Sequence, residues 1–186
     1  MTATTLELFA AVLDACPSAE LLLKSPSFQE QAEQDRILRL GASVGIDSSR
    51  VLLEGWCVSH IEHLNSYRKV DVGLDTTPYS GATTSVDALG MGVPIVTLRG
   101  NTSAGRLSAS VLNHAGLSDW IAEDRTSYIA KAVQAHQEGP RSLSERQRLR
   151  AQISKSDLGS PSRLAIELEQ VFSQQVQELD RRESCF

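Results

Sequence analysis

The alternation of apolar and polar positions divides the chain into helices and strands that follow one another regularly. From Thr4 to Cys16, the side chains Leu6, Phe9, Ala10, Val12 and Leu13 recur at the spacing of one helix face, and Pro17 stops the pattern. Ala19 to Lys24, centred on Leu21, Leu22 and Leu23, reads as a fully buried strand. Pro26-Ser27 then leads into a long polar helix from Phe28 to about Val44, which Gly45 closes. Arg50 to Glu54 is a short strand ending at Gly55, and the next helix carries His60 and His63. After Asp71, Val72 and Leu74 begin another strand, Pro78 and Gly81 punctuate a turn, and Thr83 or Thr84 can cap a helix that Gly90 and Gly92 end. Val93 to Leu98 reads as a buried strand, Gly100 to Arg106 as a loop that opens a helix through His114, and Trp120 to Ala122 as a brief strand. Residues from Arg125 onward are helical, and Leu164, Leu168, Val171, Phe172, Val176 and Leu179 form a long apolar stripe on the final helix.

Strands separated by helices of this length require a parallel sheet with right-handed crossovers. The expectation over residues 1–186 is therefore a single α/β domain, a Rossmann-like parallel sheet with helices on both faces that ends in several helices. In such sheets ligands sit at the carboxyl ends of the strands, which places Trp56 to His63, Thr76 to Asp87 and Arg99 to Arg106 on one rim. The unit from Asp71 to Leu98 offers the most chemistry there. Backbone N–H groups at the start of its helix point outward, and the helix dipole favours an anion. Gly81 lets a ligand approach the backbone, Thr83 and Thr84 supply hydroxyl and amide donors, and Asp87 sits one turn in, where a carboxylate could accept from ribose hydroxyls. The same Thr84-x-x-Asp87 spacing is an ordinary capping box, and the two uses are compatible.

The formal net charge of −5, with no concentrated basic patch, argues against a nucleic-acid surface. No basic-then-apolar leader is visible, and no apolar run approaches the roughly 20 residues that span a bilayer, so a cytoplasmic chain without membrane contact is expected. Cys16, Cys57 and Cys185 are odd in number and far apart, which suits reduced thiols. Gly100 to Arg106 nearly matches the phosphate loop of nucleoside triphosphatases, yet Arg106 replaces its lysine and Leu107 its hydroxyl residue. Cys57, His60 and His63 recur every third residue, a spacing that spreads them over about 120° of helix surface, so no metal site is expected. There is no Gly-x-Ser-x-Gly elbow and no carboxylate pair placed for glycoside hydrolysis.

The run Leu74-Asp75-Thr76 through Pro78-Tyr79, then Gly81, Thr83-Thr84, Asp87-Ala88-Leu89 and Met91-Gly92-Val93-Pro94, resembles the C-terminal lobe of the SPINDLY and O-GlcNAc transferase family of GT-B glycosyltransferases. The similarity continues through Arg106 to Ser110 and Gly116-Leu117, and more weakly to the last helix. It implies the nucleotide-sugar-binding lobe of an inverting, metal-independent enzyme that moves N-acetylglucosamine from a UDP donor to Ser or Thr of a protein. The donor is a substrate, and no cofactor is implied. On this resemblance Thr83, Thr84 and their amides bind the diphosphate at Gly81, while Asp87 and His60 approach the ribose. His63 lies against the base or phosphate, and Tyr79 and Arg106 stand on the rim of the donor site. His60 stands where the family usually has a lysine, and Ala82 where a histidine is frequent. The acceptor-side lobe, the tetratricopeptide repeats and a phosphate-binding lysine ahead of Met1-Thr2 are absent from the sequence. The expected partners are therefore UDP or UDP-N-acetylglucosamine and the missing N-terminal lobe, or a partner chain that supplies it, and the chain alone should be inactive. In the family the last helices cross back onto the acceptor-side lobe, so the stripe from Leu164 to Leu179 should be exposed and could pair two copies. A GDP-fucose-using relative and a non-catalytic interaction module of the same fold are the alternatives.

Overall fold

A computed structural model of the chain describes residues 1–183; Cys185 lies outside the described residues. The elements run α1 (Ala3–Ala15), β1 (Leu21–Lys24), α2 (Gln31–Ser43), β2 (Val51–Glu54), α3 (His60–Ser66), β3 (Gly73–Leu74) and α4 (Thr83–Gly90). They continue with β4 (Ile95–Leu98), α5 (Leu107–His114), β5 (Ile121–Ala122), α6 (Arg125–Gln137), α7 (Leu143–Lys155) and α8 (Pro161–Glu183).

All strand pairs are parallel, as the helix-strand alternation requires. The ladders are hydrogen-bonded as two ribbons, β1-β2 in register Leu21↔Val51 and β3-β4-β5 in register Gly73↔Ile95 and Thr97↔Ile121. One core joins the ribbons: Leu21 and Leu23 of the first and Val96 and Ala122 of the second pack with Phe9 and Leu13 of α1 and Tyr128 of α6. Thr2 caps α1 by accepting from the amide of Thr5, and Arg50 serves the other end of that helix. Its guanidinium donates to the carbonyls of Leu13, Cys16 and Ala19, tying the end of α1 to the turn that leads into β1.

The helix expected from Phe28 begins later. Ser25 caps a 3₁₀ turn over Pro26–Gln29, Phe28 is drawn into the core, and Glu30 is extended, so α2 starts afresh at Gln31. A second apolar cluster joins Leu89 of α4, Leu112 of α5 and Ile153 of α7. There Gly92 has φ +74°, and a Cβ on it would lie 2.6 Å from the backbone of Arg146. Arg146 donates to the carbonyls of Val70 and Tyr67 at 2.8 and 3.2 Å, fastening α7 beneath the segment that leads into β3. The 23 residues of α8 leave this body, and its apolar stripe faces solvent, with Phe172 64% exposed. No described helix is long and apolar enough to cross a membrane.

Candidate functional site

The loop between β3 and α4 is built around one buried carboxylate. Asp75 is 8% exposed, and its Oδ1 accepts from the amides of Thr76 and Gly81 at 3.0 and 2.8 Å. Its Oδ2 accepts from the Thr97 hydroxyl at 2.6 Å, and the Tyr128 hydroxyl donates to its backbone carbonyl at 2.9 Å. A chain of serines holds the other side. Ser108 of α5 donates from Oγ to the carbonyl of Gly81 at 2.8 Å, its amide donates to Ser80 Oγ, and Ser85 Oγ lies 2.7 Å from Ser108 Oγ. Ser80 in turn donates its hydroxyl to the carbonyl of Ala104. Among the described residues no buried side-chain polar atom lacks a partner.

The outcome of this bracing is the first turn of α4. Ala82 is the N-cap, at φ −133° and ψ −79°, and no side chain caps the helix. The expected capping box is therefore not formed: Thr83 is already the first helical residue, which carries Thr84 and Asp87 past the positions from which they could reach the orphan amides. The amides of Ala82, Thr83 and Thr84 find no acceptor among the described residues, whereas Ser85 and Val86 both donate to Ala82. The side chains of Thr83 and Thr84 are exposed beside these donors. Gly81 is required by space, since a Cβ there would lie 2.7 Å from both Ser85 Oγ and Thr84 Oγ1.

Asp87 faces α3 instead. Its Oδ2 lies 3.5 Å from Nε2 of His63, whose ring meets Tyr67 edge-on at 5.5 Å and stacks on His60 at 6.1 Å. Ser59 caps α3, and Glu62 accepts from the amide of Val58, so the helix start is fixed and both imidazoles share one face. The Tyr67 hydroxyl donates to the carbonyl of Thr84 at 3.2 Å. Burial, reinforced by the Asp87 carboxylate, pushes the Tyr67 phenol up to about 12. Trp56 and Val58 on the approach to α3, and Ile61 in its first turn, expose large apolar side chains, Trp56 to 63%.

The structure thus brings Gly81, Thr83, Thr84, Asp87, His63 and His60 to one rim, with Tyr79 exposed at its edge. Arg106 is exposed on the loop after β4, where its Nε donates to the carbonyl of Gly100 at 2.8 Å. That loop, so like a phosphate loop in sequence, is a buttress. Gly105 packs against Gly100 and against the carbonyl of Pro78, where a Cβ would meet the oxygen at 2.9 Å. A cleft of about 370 Å³ opens beside the turn, lined by Thr2, Thr5, Lys24, Ser25, Thr76 and Thr77 among others. Among the described residues no three His, Cys, Asp or Glu side chains are grouped to hold a metal ion. Sequence patterning missed Tyr67, Asp75, Thr97 and Ser108; the small polar residues at buried positions 97 and 108 were the available signal.

Residues 1–166 match the family Glycosyl transferase family 41. The chain belongs to this family. The family 41 chain is 30% identical over 172 residues to the probable UDP-N-acetylglucosamine–peptide N-acetylglucosaminyltransferase SPINDLY of Solanum lycopersicum, covering 92% of this chain and 18% of the relative. It is 29% identical over 130 residues to a UDP-N-acetylglucosamine–peptide N-acetylglucosaminyltransferase of Caenorhabditis elegans, covering 70% of this chain and 11% of that protein. Its fold matches the structure of a mutant of the Thermobaculum terrenum O-GlcNAc transferase with a TM-score of 0.78 and 36% identity, covering 92% of this chain and 33% of that one. This family 41 chain is accordingly a GT-B glycosyltransferase lobe, spanning about a fifth of the plant relative and a third of the solved structure.

Proposed function

We propose that this lobe holds the UDP of a UDP-N-acetylglucosamine donor at the start of α4 and forms the donor half of a protein O-linked N-acetylglucosaminyltransferase. The observation that carries the reading is the set of unused amides at Ala82, Thr83 and Thr84, flanked by two exposed hydroxyls and held next to the His63–Asp87 pair. The amides and hydroxyls take the diphosphate, where donors and helix dipole stabilise the negative charge that grows as the sugar leaves with inversion. That charge stabilisation needs no metal ion. Asp87, steadied by His63, accepts from the ribose hydroxyls, and His60 lies alongside them. The relatives' names, which state a UDP-N-acetylglucosamine–peptide transfer, support this donor. The acceptor hydroxyl is presented by an acceptor-side lobe or a partner chain in the cytoplasm, so these residues bind the donor and by themselves transfer nothing.

Calorimetry with UDP, GDP, their sugars and ATP tests the reading. UDP and UDP-N-acetylglucosamine should bind best. A preference for GDP would shift the donor to a fucosyl nucleotide, and no binding by any nucleotide would leave an interaction module.

A further inference from the structure

The buried Asp75 stands outside the roles just assigned, yet the turn depends on it. A carboxylate is an acceptor-only group, and here it meets three donors: the amides of Thr76 and Gly81, one and six residues along the chain, and the hydroxyl of Thr97 from the neighbouring strand. It takes the Gly81 N–H from inside the turn. Ser108 fixes the same residue's carbonyl from the opposite side at 2.8 Å. Gly81 is thereby clamped through both of its backbone polar groups, and the next three amides are left as the donors that face outward.

We infer that Asp75 is the positioning residue of the anion-binding turn, with Ser108 as its counterpart, and that the clamp on Gly81 sets the affinity of the site for the diphosphate rather than for the nucleoside. The inference rests on the reading of the α4 start as the diphosphate site. Asp75 touches no ligand. It acts by preorganisation, fixing donors where the anionic oxygens arrive so that binding does not have to order them. Asn in its place keeps the shape but makes the acceptor neutral: with its oxygen on the two amides its N–H₂ donates to the Thr97 hydroxyl, and the charge-assisted bonds to Thr76 and Gly81 weaken. Removing the Ser108 hydroxyl frees the Gly81 carbonyl and leaves Ser85 without its buried partner.

The test compares UDP with uridine as probes, by NMR titration of the wild-type chain, Asp75→Asn, Ser108→Ala and, as a control for destabilisation alone, Leu13→Ala in the core at the far end of α1. Asp75→Asn should weaken UDP about tenfold or more and Ser108→Ala severalfold, with uridine affinity unchanged in both and both affinities unchanged in Leu13→Ala. Equal losses for UDP and uridine, an unchanged UDP affinity in Asp75→Asn, or the same UDP loss in Leu13→Ala would each overturn the inference. If the wild-type chain binds no UDP, the functional reading fails separately, and amide hydrogen exchange decides about Asp75. Protection of the Gly81 amide in the wild type, lowered in Asp75→Asn while the amides of α6 stay protected, upholds the clamp; equal protection in both chains refutes it.

Discussion

The start of α4 and the length of α8 are both open surfaces, and they are open in different ways. At α4 the exposed groups are polar and the scaffold beneath them is saturated: Asp75, Ser80, Ser85, Thr97 and Ser108 are all buried and all bonded. Along α8 the exposed groups are apolar, from Leu164 to Leu179, and the helix buries none of its described side chains against the body. A polar site can be finished within one lobe because amides facing water cost little until a ligand replaces it. An apolar stripe cannot, because its stabilisation arises only when another surface removes it from water.

The largest effect that sharpens this contrast is on catalysis. Positioning the acceptor hydroxyl against the anomeric carbon is worth about 7–11 kcal/mol of barrier, and the proposed donor site at the start of α4 supplies none of it. The chain incubated with radiolabelled UDP-N-acetylglucosamine and protein acceptors should show no catalytic incorporation, and incorporation abolished by Thr84→Val would break the comparison. At the donor site, Gly81→Ala should cost about 1–3 kcal/mol of stability by driving a methyl group into Ser85 and Thr84, and should weaken UDP in parallel. Thermal unfolding and calorimetry on one preparation check both. Asp87→Ala should weaken UDP by about 1–3 kcal/mol and leave the melting temperature nearly unchanged, because no helix cap is lost with it. A drop in melting temperature without a change in affinity would make Asp87 a structural residue.

On the other side of the comparison, two copies should pair through α8, and sedimentation should show association that rises with concentration and is suppressed by Phe172→Glu. A monomer at high concentration would show that the stripe stays solvated. The smallest effect concerns Tyr67. Its folded value of about 12 lies above the ordinary 10, so the neutral phenol is the form that folding favours. Its contribution is intact below pH 10 and declines as pH rises from 10 through about 12. Ultraviolet titration of the wild type against Tyr67→Phe should place that tyrosinate step near 12. A step near 10 would mean that the Thr84 carbonyl is not protected by Tyr67.

The parallel α/β order was legible because apolar runs and helical spacing are local properties of the chain. So was the meeting of Thr83, Thr84, Asp87 and His63, since βαβ topology sends the carboxyl ends of β2, β3 and β4 to one rim. The capping use that the Thr84-x-x-Asp87 spacing also allowed is not made in the structure. Thr84 and Asp87 have the spacing of a capping box, but the turn before the helix is held by Thr97, Ser108 and Tyr128, which reach Asp75 and Gly81 across 22 to 53 residues of sequence and leave no periodic trace. The same limit hid the break at Phe28, whose side chain is called into a core assembled from distant elements. The stripe of α8 was plain from spacing, and its exposure in the structure agrees with that reading.

The pinch between Gly100 and Gly105 bears on how the chain could be re-engineered. The two glycines sit so close to one another, and Gly105 to the Pro78 carbonyl, that a single methyl group has no room, and the Gly100 amide donates to the Gly105 carbonyl at 3.0 Å. Gly139, with φ +73° and open space around it, joins α6 to α7 without such contacts. In a library of random single-residue insertions fused to a fluorescent reporter, bright clones should accumulate around residue 139 and vanish between residues 100 and 105. Two glycine-bearing loops would then differ as sites for grafting a tag, a sensor peptide or a new domain, because one has open space around its glycine and the other is a keystone.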